Sequence, residues 1–342
     1  MEQIIERELT NILQSLKIDG SCIASRSHRH LAFYDVRLKP GASINRLERY
    51  AREIALGLRS KTVPLMKFMP EEGIVRLQVA NAESELLPLN NFFEDTWIPS
   101  LPQLPIILGE TDEGKELWID LAQHPHTLIA GGTGSGKSTM LHNIIANISR
   151  LNYLEERIVN LYLGDPKSVE FTCYDDTDLA QSVSTNYTDI ILMLEHIKIV
   201  MDERYKWMAK EGISKIDNTT GMAYYVVIID EVADLMLQDK KLKKFETLVT
   251  MIAQKCRAAG IFLIMATQRP SVDVLTGLIK ANFPARISCK VATKIDSQVI
   301  LDAPGAERLL GRGDAVLQSP EMSRARFQVA YVDPKETIAN YG

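Results

Sequence analysis

Two hydrophobic periods alternate along the chain. Near the N-terminus, IIERELTNILQSL places its apolar residues at helical spacing and LAFYDVRL alternates like a strand. INRLERYAREIALGL then returns to the helical period and GIVRLQVA to the strand period, so a small α/β domain is expected up to about Asn90. The next stretch, LPLNNFFEDTWIPSLPQLPIILGETDEGKE, is rich in Pro, Asn and acidic residues without a sustained period, and reads as a linker and the entry to a second domain. We set the domains at 1–98 and 99–342. From Leu117 onward, short apolar runs alternate with helical stretches: LWIDL, HTLIAGG, IVNLYLGD, YYVVIIDE, GIFLIMAT, ARISCKVA, DAVLQ and RFQVAYV. That alternation predicts βαβ units and a mostly parallel sheet covered on both faces. Ligands of such sheets bind in the loops that follow the carboxyl ends of the strands.

A length of 342 residues suits two domains, and 46% hydrophobic with 24% charged residues is an ordinary globular balance. No run of eighteen apolar residues occurs, and MEQIIERELT is too charged for a signal core, so the expectation is a cytoplasmic protein. Cys22, Cys173, Cys256 and Cys289 lie far apart with no C-x-x-C spacing. They read as free, mostly buried thiols rather than a zinc site or disulfide framework. His28 with His30, and His124 with His126, are spaced by two but lack a Cys or acidic partner at ligand spacing, and read as polar residues at segment edges. A formal net charge of −5 excludes a protein coated in basic surface, so any nucleic-acid contact must be local.

Each candidate for chemistry falls where an apolar run ends. GGTGSGKS matches the phosphate-loop pattern G-x-x-x-x-G-K-[ST]. The backbone of Gly131, Gly132, Thr133, Gly134, Ser135 and Gly136, continuing through Thr139, can wrap a phosphate chain. Lys137 supplies positive charge to it and the Ser138 hydroxyl can ligate Mg2+. Before it lies a predicted strand; after it, Met140, Leu141, Ile144, Ile145 and Ile148 form the apolar stripe of a helix whose N-terminus faces the phosphates. YYVVIIDE ends in Asp230, placed to hold hydrated magnesium, and Glu231, placed to polarise an attacking water. Together these segments point to an ATPase. If GIFLIMAT lies beside YYVVIIDE, Gln268 reaches the γ-phosphate as a sensor.

The residues beyond Gln268 are basic. Between Lys255 and Lys294 there are seven positive side chains against the single carboxylate of Asp273, a surplus that suggests a surface facing a polyanion.

The run from RAAGIFLIMATQRP to LGRGDAVL, together with HPHTLIAGGTGSGKS, LGDPKSVEF, MDERYKWMAKEGI and IIDEVADLM, closely resembles the motor domain of FtsK/SpoIIIE double-stranded DNA translocases. The N-terminal ninety residues resemble the small α domain that precedes that motor. The resemblance implies a RecA-like P-loop motor with ATP and Mg2+ as cofactors, assembled as a homo-hexamer around duplex DNA. Lys137, Ser138, Asp230, Glu231 and Gln268 match the family's ATP-site positions. Arg257 matches an arginine that reaches the γ-phosphate of the neighbouring subunit, with Arg286 as second choice. Arg269, Lys280 and Lys294 match channel loops that touch DNA phosphates. The family's membrane-spanning region and C-terminal winged-helix module have no counterpart here, and the segment between the phosphate loop and YYVVIIDE is short. The expectation is a compact, soluble pump of the kind a mobile element or defence locus encodes, directed and anchored by other proteins, or equally a part excised from a longer protein. Two alternatives stand beside it: a conjugative-transfer or secretion ATPase of the same superfamily, and a nucleotide-switched DNA-binding scaffold.

Overall fold

Strands at the edge of a sheet need only one apolar face, and the N-terminal region hides two of them from a search for apolar runs. A computed structural model of the chain describes residues 2–28, 31–60, 62–80, 86–93, 103–155, 159–238, 243–322 and 324–342. The N-terminal elements are α1 (Glu2–Ser15), β1 (Gly20–His28), β2 (Leu31–Leu38), α2 (Ile44–Arg49), α3 (Ala51–Gly57), β3 (Leu65–Met69) and β4 (Ile74–Ala80). Their sheet is antiparallel in the order β1-β2-β4-β3, so the unpredicted strands β1 and β3 are its two edges. INRLERYAREIALGL, read as one helix, breaks at Tyr50 (φ −96°, ψ 19°) into α2 and α3. Leu9, Leu13, Val36, Leu47, Ile54 and Leu77 form the buried centre of this unit.

The chain divides into two compact units, residues 1–86 with 112–114, and residues 87–111 with 115–342. The expected boundary between 98 and 99 lies outside the described residues, as does His30. Part of the expected linker is structural. PIILGET forms β5 (Pro105–Thr111), a strand of the large sheet that opens on its proline, where a missing N–H is tolerated.

The larger unit continues with β6 (Glu116–Asp120), β7 (His126–Ala130), α4 (Lys137–Glu155), β8 (Val159–Gly164), β9 (Ser182–Ser184), α5 (Tyr187–Glu211), β10 (Tyr224–Ile229), α6 (Val232–Gln238) and α7 (Lys244–Lys255). It ends with β11 (Ile261–Thr267), α8 (Gly277–Asn282), β12 (Ala285–Cys289), α9 (Lys294–Leu301), β13 (Asp314–Gln318), β14 (Ala325–Val329) and α10 (Pro334–Tyr341). Among the described residues its sheet has ten strands in the order β6-β5-β14-β13-β12-β7-β11-β10-β8-β9. From β12 to β9 every pairing is parallel, whereas the β6 to β12 flank is antiparallel. The fold is thus α/β with a mixed, mostly parallel sheet.

Strands buried on both faces read as continuous apolar runs. Val226, Ile228, Phe262 and Ile264 pack on the α4 side with Met140, Leu141 and Ile144; Val227, Ile229, Leu263 and Met265 pack on the other side with residues of α5, α6 and α7. This two-faced burial holds the parallel strands in register, so their carboxyl ends lie along one rim. Of the four thiols, Cys256 and Cys289 are buried, Cys22 is half-buried and Cys173 is exposed.

His126, at the start of β7, is buried with its ring 5.6 Å from that of Phe283 and Nε2 3.6 Å from the Cys256 sulfur. Burial pushes its pKa down to about 4, against a smaller opposing hydrogen bond to Ala253. The unfolded chain therefore binds more protons than the folded one between the free value and about 4, and stability present above that window is lost as pH falls through it. Urea unfolding at pH 7 and pH 4 should show the native chain losing about 3 kcal/mol more than His126→Gln.

Candidate nucleotide and nucleic-acid site

The phosphate loop leaves β7 and enters α4, tied to the strand on either side. Gly131 N–H donates to the Thr267 carbonyl (3.2 Å) and Gly132 N–H to the Lys290 carbonyl (2.9 Å). Gly136 has φ 107°, and a Cβ there would lie 2.4 Å from the Gly313 nitrogen, so only glycine permits this approach. Thr133 and Gly134 are exposed at the loop's crest, and α4 begins at Lys137, directing its free N–H groups to the same place.

Lys137 and Asp230 form a buried ion pair, each 3% exposed. For Asp230, burial raises the carboxyl pKa and Lys137 pulls it back, leaving it above the ordinary value. Ser138 Oγ donates to Glu170 Oε2 (2.6 Å), Glu170 Oε1 meets His142 Nε2 (2.8 Å), and His142 Nδ1 meets the Tyr174 hydroxyl (2.9 Å). Burial works against the Glu170 charge, but the hydrogen bonds from His142 and Ser138 prevail and hold its pKa below the usual value. Ser138, Asp230 and Glu170 present only oxygen atoms, a donor set that fits a hard cation such as Mg2+.

Glu231 sits just past β10 in left-handed backbone (φ 51°), a conformation that costs a non-glycine residue about 1 kcal/mol. Its side chain is fully buried. Oε1 accepts from the Thr267 hydroxyl (2.8 Å) and the Gln268 N–H (3.3 Å), and Oε2 from Lys167 Nζ (3.2 Å) and the same N–H (3.2 Å). Lys167 also lies 3.5 Å from Asp234. Partial burial disfavours the Lys167 ammonium, yet the two carboxylates outweigh it and raise its pKa. Lys167 and Glu170 share the loop after β8, which Asp165 organises. Its buried carboxylate accepts the backbone N–H groups of Lys167, Val169, Glu170 and Phe171 at 3.2, 2.8, 2.7 and 3.0 Å.

β11 pairs with β10 on one side and β7 on the other, the adjacency expected for GIFLIMAT. Gln268 Oε1 accepts a hydrogen bond from Thr133 Oγ1 (3.2 Å), reaching the phosphate loop. One residue on, Arg269 is exposed while its N–H donates to the Thr267 hydroxyl (3.0 Å). Lys294, at the N-terminus of α9, is exposed as well, as is Lys290 beside the phosphate loop.

The other basic candidates lie elsewhere. Lys280 and Arg286 both pair with Asp302, at the far end of α9 and about 12 Å from Lys294 along its axis. Arg286 further donates to the carbonyls of Phe283, Ile300 and Lys280, which makes it the structural ion-pair residue rather than a free second arginine. Asp302 lies eight residues beyond Lys294 and offsets part of the positive surplus between Lys255 and Lys294. Arg257 is exposed ahead of β11, whereas the phosphate loop lies beyond the other end of the strands. Seven strand residues separate those ends by about 20 Å, so Arg257 cannot reach the phosphate loop of its own chain.

Sequence reasoning did not single out Lys167, Glu170, His142, Asp165 or Thr267. LGDPKSVEF carried a readable signal, since an apolar strand ending in Asp before a charged loop repeats the logic applied to Asp230. His142 carried none, lying inside an apolar helix stripe.

Among known proteins, the model of the FtsK/SpoIIIE family matches residues 92–224 and 218–272. DNA translocase FtsK of Haemophilus influenzae (strain ATCC 51907 / DSM 11121 / KW20 / Rd) is 36% identical over 371 residues, covering 98% of this chain and 69% of that protein. DNA translocase FtsK of Helicobacter pylori (strain J99 / ATCC 700824) is 35% identical over 325 residues, 92% of this chain. The chain spans only 38% of the length of that second relative. The solved structure of the pCW3 conjugation coupling protein TcpA, monomer form with ATPγS, shares the fold with a TM-score of 0.68 at 22% identity, over 98% of this chain and 99% of that one.

Replacing a carboxylate that orients a metal ligand typically weakens metal binding by 10–100-fold. If Ser138 holds Mg2+, Glu170→Gln should raise the Mg2+ concentration giving half-maximal ATP hydrolysis by about tenfold, with a matching loss of Mn2+ affinity seen by paramagnetic resonance in the presence of nucleotide.

Proposed function

The chain belongs to the FtsK/SpoIIIE family, and on that premise we propose that it is an ATP-driven translocase of double-stranded DNA, working as a ring of six subunits. The observation that carries this reading is the end of β11. Gln268 bonds to the phosphate loop, Arg269 faces solvent beside it, and Thr267 bonds to both Glu231 and the Arg269 backbone.

In this reading the backbone from Gly131 to Thr139 and the N-terminus of α4 bind the ATP phosphates. Lys137 exchanges Asp230 for phosphate oxygens. Ser138 and Asp230 would hold Mg2+, with Glu170 fixing the Ser138 hydroxyl, and the bound ion would supply positive charge to the phosphates. Glu231 orients the attacking water and accepts its proton. Gln268 senses the terminal phosphate. Arg257, remote from its own phosphate loop, serves the site of the adjacent subunit, where an arginine stabilises transition-state charge.

Arg269 and Lys294 contact DNA phosphates, which suits a motor indifferent to sequence. Lys280 contributes less because it must first leave Asp302. Among the described residues no helix is long and apolar enough to cross a membrane. We place the motor's work in the cytoplasm. The likeness to TcpA is one of fold and does not choose between DNA and a protein cargo; the response to DNA does.

Duplex DNA should accelerate ATP hydrolysis several-fold, and equal rates with and without DNA contradict the translocase reading. Glu231→Gln should bind ATP normally while losing about a hundredfold or more in turnover. Replacing Arg269 and Lys294 with alanine should weaken duplex binding and flatten its logarithmic salt dependence by about 1 per contact removed, with Lys280→Ala having a smaller effect. ATP affinity should be unchanged in all three.

A further inference from the structure

Glu231 is fully buried, and three donors close its carboxylate off from solvent. A carboxylate offers about four lone-pair positions; the Thr267 hydroxyl and the Lys167 ammonium take one each, and a single Gln268 N–H is shared between both oxygens. One donor must move aside before water reaches Glu231. Thr267 is fully buried at the end of a central strand, and the Gln268 donor is backbone. Lys167 differs in three respects: it rides on a loop, its side chain is 37% exposed, and a second carboxylate, Asp234, lies 3.5 Å from its ammonium. Moving from Glu231 to Asp234 keeps the cation paired, so release leaves no isolated charge.

We propose that Lys167 is a releasable clamp on Glu231, a positioning residue that withholds the carboxylate from water until a phosphoryl anion draws the ammonium away. The clamp rests on the reading of Glu231 as the group that activates water. A phosphoryl anion is the competitor because the same loop carries Glu170, bonded to Ser138 at the phosphate loop, only three residues from Lys167. That anion is the terminal phosphate of the nucleotide or a backbone phosphate of DNA.

Steady-state ATP hydrolysis by the full chain at saturating ATP, with and without duplex DNA, tests the clamp in Lys167→Met and Lys167→Arg. Lys167→Met keeps the length of the side chain and removes its charge. It should raise DNA-free kcat several-fold with little change in KM, while Lys167→Arg stays near the native rate. If DNA phosphate is the competitor, DNA no longer accelerates Lys167→Met. If the nucleotide's phosphate is, the higher basal rate is still stimulated by DNA. An unchanged or lower DNA-free kcat in Lys167→Met overturns the clamp. A native chain that ignores DNA overturns the translocase reading instead, and leaves the DNA-free comparison between native and Lys167→Met valid.

Discussion

A carboxylate removed from water costs several kcal/mol unless donors meet it, and Glu231 is removed completely. The surrounding structure answers that demand. β11 must end beside β10 so that Thr267 and the Gln268 N–H arrive at Glu231. The turn after β8 must fold on Asp165 so that Lys167 arrives from the other side. The left-handed backbone at Glu231 is the local cost of turning the side chain inward, and four hydrogen bonds offset it.

The same donors tie the ATP site to its neighbours. Thr267 spends its hydroxyl hydrogen on Glu231 and accepts from the Arg269 N–H, so a displacement of Arg269 is felt at the carboxylate through one side chain. Gln268 connects the same corner to Thr133. The loop after β8 makes a second bridge, with Lys167 on Glu231 and Glu170 on Ser138. In the proposed motor these short connections would link nucleotide state and cargo contact within one subunit, and Arg257 would serve the site of the adjacent subunit.

What the sequence made legible was local. The phosphate loop, the strand ending in Asp230 and Glu231, and the position of Gln268 depend on residues within a few places of one another. The α/β class followed from the alternation of apolar runs with helical stretches. Edge strands β1 and β3 escaped because an exposed face breaks up their apolar pattern, and β5 because its opening proline and the proline-rich stretch before it resemble a linker. The partners of Lys280 and Arg286 escaped for another reason: Asp302 is distant in sequence and becomes their neighbour only when α9 folds back along β12. The donors around Glu231 come from two strand ends, β8 and β11, and meet it at the end of a third, β10, so their crowding was not readable from any one segment.

In the proposed motor, Thr267 couples ATP turnover to movement along DNA. Displacement of a triplex-forming strand from duplex DNA, measured together with ATP hydrolysis, tests it most directly in the native chain and in Thr267→Val, which keeps the shape and removes the hydroxyl. The native chain should displace the strand, and Thr267→Val should displace markedly fewer strands per ATP hydrolysed. An equal yield per ATP in the two would contradict it.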